Sequence, residues 1–200
     1  TLSSETFSAV AASSQFTLQL KASIPNAPIL HWQGLPLEPY VVARVGHRTL
    51  SAMGLTCGRV CPISGSIDPA VHVIDQDFLS GELGAGAQTQ LALSDTDSLR
   101  LSAELTAGAM HVADSHNLRP DLGPTPNVLY TFGTIGVGAG IGYAHRLSGG
   151  LTLSLGLDGR AGAGFGVVDF APNTPTPAGP FPAISTDVAA TLSAGLSAAF

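Results

Sequence analysis

From Leu151 onward the chain alternates for about sixteen residues. Leu151, Leu153, Leu155, Leu157, Ala161, Ala163, Phe165 and Val167 hold odd positions; Thr152, Ser154, Gly156, Asp158, Arg160, Gly162, Gly164 and Gly166 hold even ones. Successive side chains of an extended strand point to opposite faces, so this pattern gives one apolar face and one small or polar face. Strands of globular sheets usually run about 5–6 residues. A strand this long needs neighbours of similar length and something other than a small core to cover its apolar side.

Such neighbours are legible. Ile135, Val137, Ala139, Ile141 and Tyr143 alternate with Thr134, Gly136, Gly138, Gly140 and Gly142. Leu83, Ala85, Ala87, Leu91 and Leu93 face away from Glu82, Gly84, Gly86, Gln88 and Gln90; Leu99, Leu101, Ala103, Leu105 and Ala107 face away from Arg100, Ser102, Glu104, Thr106 and Gly108. At the end Val188, Ala190, Leu192, Ala194, Leu196, Ala198 and Phe200 oppose Asp187, Thr191, Ser193, Gly195 and Ser197. Towards the amino terminus, Gln15–Ala22 and Pro39–Met53 also read as strands, and the pattern fades between Met53 and Phe78.

Composition says what the apolar faces meet. Hydrophobic residues make up 44% of the chain, charged residues only 11%, and mean hydropathy is +0.32. Soluble domains carry roughly 25% charged residues, so part of this exterior is expected to avoid water. A membrane helix needs about 20 consecutive apolar residues, and no such run exists. The remaining structure that satisfies every backbone group in lipid is a closed β-barrel. The expectation is therefore a single all-β domain over residues 1–200, an antiparallel up-and-down transmembrane β-barrel, with residues 77–200 the legible part and 1–76 less so.

Tight connections at 94–97 and 147–150 alternate with long Pro-rich ones at 115–127 and 171–184, the asymmetry of outer-membrane barrels. An even count of about eight strands is expected. Either Ser3–Ser23 is one bulged strand and Ile63–Asp75 another, or residues 2–11 and 15–23 are separate strands. The first keeps strand lengths uniform and puts Cys57 and Cys61 in a turn on the tight-turn side; the second puts them among the long loops. Their spacing, Cys-Gly-Arg-Val-Cys, suits a small disulfide loop in an oxidising compartment.

The charged residues of the strands fall on the small or polar faces: Lys21, Arg44, Arg48, Glu82, Arg100, Glu104, Asp158, Arg160 and Asp187. Inside a barrel of eight strands, side chains fill the space, and buried charges must pair. A structural salt-bridge network filling the lumen is preferred over an ion pathway or gate. The inward glycines are read as permitting curvature, with Tyr130 or Phe132 folded over them.

Other chemistry is weakly signalled. His111, Asp114, Ser115 and His116 form one candidate catalytic group, and His72, Asp75 and Asp77 another. No nucleophile motif surrounds any serine, and the histidines lack metal-ligand spacing, so neither an enzyme nor a metal or cofactor site is expected. Net charge is −6 with scattered bases, which argues against nucleic acid.

These strands, the turn alternation and the closing Ala-Ala-Thr-Leu-Ser-Ala-Gly-Leu-Ser-Ala-Ala-Phe segment resemble the outer-membrane β-barrel superfamily of small porin-like and OmpA-like proteins. The resemblance covers 77–200 well and 1–76 loosely. It implies export with the signal peptide removed, insertion into the bacterial outer membrane, and an amino terminus on the same periplasmic side as Phe200. It also implies that Leu192, Leu196 and Phe200 are read by the barrel-assembly machinery. The aromatic girdles usual in that family are sparse, with one Trp and three Tyr. Envelope protein partners beside the lipid are therefore also expected. The expected role is structural, an anchor or accessory subunit; a small-solute or ion channel and a lipid-modifying enzyme are the alternatives.

Overall fold

The computed structural model describes residues 7–24, 30–32, 34–57, 67–117, 126, 128–170 and 180–198. The strands are β1 (Phe7–Ser23), β2 (Leu30–Trp32), β3 (Leu35–Cys57), β4 (Ile67–Ala92), β5 (Asp97–His116), β6 (Val128–Arg146), β7 (Leu151–Phe170) and β8 (Phe181–Ala198). Seven are long, from 17 residues in β1 to 26 in β4. They form one antiparallel sheet in the order β1-β3-β4-β5-β6-β7-β8, and the three-residue β2 pairs only with the start of β3.

Among the described residues there are seven long strands where eight were expected. Residues 67–75 belong to β4, and Phe7–Ser23 is one strand, so neither route to eight long strands survives. The reason is a bulge. Ala52 pairs with Ile74, Met53 with His72 and Leu55 with Ile67, which leaves Val73 as an extra residue of β4 and sets the four residues 68–71 opposite the single Gly54. Gly54 takes φ +64 there, a left-handed conformation that suits glycine. An extra residue reverses the phase of inward and outward positions, so the alternation fades while the strand continues.

An odd number of long strands also changes where the ends lie. β1 begins and β3 ends at the same edge of the sheet as the long 117–127 and 171–180 connections. β8 ends at the opposite edge, beside the tight 93–96 and 147–150 turns. The described start of the chain and its described end are thus at opposite ends, which corrects the expectation that both share one side. Cys57, the last residue of β3, lies at the long-loop end; Cys61 and the expected disulfide fall outside the described residues.

The sheet curls strongly, and the glycines show how. A Cβ on Gly166 would collide with the carbonyl oxygen of Thr131 on the next strand, and one on Gly108 with that of Gly81. The curl leaves a concave face on which the buried residues gather. Tyr40, Val42, Val112, Val128, Phe132, Thr89, Thr106 and Asp114 are all under 9% exposed. Phe132 covers Gly164, whose Cβ would meet Phe132 Cβ at 3.2 Å, as the inward glycine row suggested.

Candidate functional site

The concave face carries the charged residues. Arg44 donates to the Glu104 carboxylate, and both side chains are 12% exposed. The Tyr40 hydroxyl donates to the same carboxylate at 3.2 Å, and Lys21 Nζ lies 3.6 Å from the Tyr40 ring centroid. Arg160, three strands away from Glu82, reaches across the face to its carboxylate and also donates to Thr106 Oγ1 at 3.2 Å. Arg48 stacks 4.0 Å over the Phe78 ring.

Two cavities adjoin these pairs. One of about 410 Å³ is lined by Arg48, Phe78, Glu82 and Asp187, and one of about 520 Å³ by Lys21, Arg100, Glu104 and Asp158. Arg44 and Arg160 line both. The nine charged residues singled out in the sequence therefore divide into two ion pairs, two cations on aromatic rings, and Arg100, Asp158 and Asp187 on cavity walls. Buried Arg44 Nη1 and Arg160 Nε have no hydrogen-bond partner among the described residues.

The long-loop end of the concave face is different. Val112, Val128, Tyr130 and Phe132 pack there; Tyr130 and Phe132 stack with centroids 6.0 Å apart. Among them sits Asp114, 2% exposed. Gln76 Nε2 donates to its Oδ2 at 3.0 Å, His116 Nε2 approaches the same oxygen at 3.4 Å, and Asp114 Oδ1 has no hydrogen-bond partner among the described residues. Apolar residues at inward positions, Phe78, Met110, Val112, Tyr130 and Phe132, were the sequence signal for this packed region. Tyr130 and Phe132 were expected over the inward glycines; that Phe78, Met110 and Val112 join them is decided only when the strands are side by side.

The strand pleat separates the catalytic candidates. His111 and Ser115 project from the convex face and Asp114 and His116 from the concave one, so the four do not converge. In the second group His72 Nδ1 lies 2.9 Å from Asp75 Oδ1, and Ser51 bonds the same carboxylate. Asp75 thus stands between hydroxyl and imidazole, whereas activating a serine needs the imidazole in the middle.

The convex face is apolar in a band. On β5 it runs outward from Leu99 to Ala109, bounded by Asp97 and His111; on β6 it runs from Gly133 to Tyr143, bounded by Thr131 and His145. At one margin His47 bonds Asp77 at 2.8 Å and His111 approaches Thr131 at 3.4 Å. At the other margin the Asp97 carboxylate accepts from Ser94, Tyr143 and Thr96 and lies 2.8 Å from His145 Nδ1. The Ser94 hydroxyl first, then Tyr143, His145 and Thr96, hold this carboxyl well below the usual carboxylate range. Between the margins Leu83 is 71% exposed, Leu105 67%, Ile135 59% and Val188 86%. Leu192 and Leu196 lie on this face; Phe200 is outside the described residues.

No protein-family model matches the chain, and no curated protein resembles it in sequence.

Proposed function

We propose that the chain is an outer-membrane β-barrel protein with a structural or interaction role, an envelope anchor or accessory subunit, whose concave side is filled by ion pairs and packed aromatics. The observation that carries this reading is the height of the convex apolar band. Eleven residues, Leu99 to Ala109, rise about 34 Å along a strand at about 3.4 Å per step. Tilted by about 40°, they cover about 26 Å, the thickness of the apolar belt on outer-membrane barrels, ~25 Å. In water so large an apolar surface would be a liability, since exposed patches on soluble proteins rarely pass a few hundred Å².

The interior favours a filled structure. Arg44–Glu104 and Arg160–Glu82 cross the concave face, and breaking either pair would strand a poorly hydrated charge. A second reading, conduction of small ions or solutes, is supported by the 410 and 520 Å³ cavities that meet at Arg44 and Arg160. Electrophoresis in detergent tests the first reading: the unboiled chain migrates faster than the boiled one and partitions with membranes. A monomer that stays soluble without detergent overturns it. Steady single-channel currents from the reconstituted protein would move the role from anchor to pore.

A further inference from the structure

Both margins of the sheet are bare. β1 pairs only with β3 and β8 only with β7 among the described residues. Residues 11–23 of β1 and 186–198 of β8 are exposed throughout. An open edge in lipid leaves a row of unsatisfied N–H and C=O groups, each costing several kcal/mol. In water it invites pairing with another chain.

The devices that blunt an edge are confined to one end. The register shift between Ser8 and Val10 of β1, and Pro182 at the second residue of β8, lie at the long-loop end, beyond the apolar band. Bulges and prolines there discourage pairing. Within the band, from Phe16 to Ala22 and from Ile184 to Leu196, the edges have neither. The edges are blunted at the long-loop end and left ready to pair along the band.

Direction decides what fits. Because the long strands among the described residues number seven, β1 and β8 both run from the long-loop end to the tight-turn end. A second copy turned by a twofold along the strand axis sets each β8 beside the other copy's β1, in parallel, with both apolar bands at one height. Two seams then close together and no edge remains. A twofold across the strands would pair β8 with β8 and β1 with β1, antiparallel, but would invert one copy relative to the other, so that the long-loop end of one copy meets the tight-turn end of its partner.

The lengths also agree, at 17 and 18 residues. Leaving out the blunted ends, at about one ladder bond per residue, two seams over 11–23 and 186–198 would make roughly 25 backbone hydrogen bonds, against ~10 in an ordinary interface. We infer that the partner at these edges is a second copy of this chain, and that two half-barrels close into one barrel of fourteen long strands. The twofold orientation rests on the membrane reading; mass and exchange test the pairing separately from membrane partitioning.

The test is the mass of the intact chain in neutral detergent by native mass spectrometry, together with amide hydrogen exchange. The expected species is a dimer, twice the 20.2 kDa chain, with the amides of β1 and β8 within the band as protected as those of β5. A monomer overturns the inference, even one with protected edges, because something other than a second copy would then close them. A trimer or larger species overturns it too, as does a dimer whose edge amides exchange freely. Ala189→Pro and Ala190→Pro, made singly and together, are expected to shift dimer to monomer while β5 stays protected. If these variants fail to fold, the exchange pattern of the unaltered dimer still decides.

Discussion

Leu105→Arg puts a charge near the middle of the convex apolar band. Leu105 lies six residues from Leu99 and four from Ala109, so about 10–16 Å of apolar surface separates it from either margin at about 2.6 Å of height per tilted residue. Its side chain is 67% exposed and touches little of the protein. If water surrounds this face, the change is an ordinary surface substitution, within about 0.5 kcal/mol of neutral. If hydrocarbon surrounds it, an arginine at mid-depth is destabilising by about 2–4 kcal/mol, falling to about 0–1 at the interfaces. His111→Arg, at the margin of the same strand, is the matched control. The assay is reversible guanidinium unfolding of each variant in lipid vesicles, read by Trp fluorescence. The expected result is a lowered unfolding free energy for Leu105→Arg and almost none for His111→Arg. Equal, near-zero effects at both positions would refute the assignment of this face to lipid.

Glu104→Gln keeps the shape of the side chain and an acceptor for Tyr40 but strips the Arg44 guanidinium of its counter-charge. With both groups 12% exposed, unfolding free energy should fall by about 3 kcal/mol or more, and Arg44→Met added to it should recover much of the loss; additive losses in the cycle would argue against pairing. Gly166→Ala should destabilise by about 1–3 kcal/mol because its Cβ meets the Thr131 carbonyl. Gly159→Ala, where a Cβ is 4.0 Å from the nearest atom, should be nearly neutral, and equal effects in thermal melts would contradict the curvature role. The Asp97 carboxyl titrates lower in the folded chain than in the unfolded one. Its stabilisation is therefore present above about pH 4, the unfolded value, and is lost as pH falls further. Unfolding midpoints between pH 5 and pH 3 should drop more steeply for the wild type than for Asp97→Asn; parallel curves would show that the Ser94, Tyr143 and His145 contacts carry no such stabilisation.

Alternation by itself determined the all-β class, the antiparallel hairpins from Leu83 to the end, and which side of each strand carries charge. Those properties are local: the pleat assigns Arg100 and Glu104 to one face and Leu99 and Leu105 to the other before any strand finds a partner. The count of strands was not local. Gly54 and Val73 sit in a bulge that reverses the alternation, and only the pairing of β3 with β4 shows that residues 67–75 extend β4 instead of forming a separate strand. Nor could sequence show which charges meet. Arg160 and Glu82 lie three strands apart and touch because glycine contacts such as Gly166 against Thr131 let the sheet curl. The odd strand number follows from that same bulged pairing, and with it the two like-directed open edges, which exist only once all seven long strands are laid side by side.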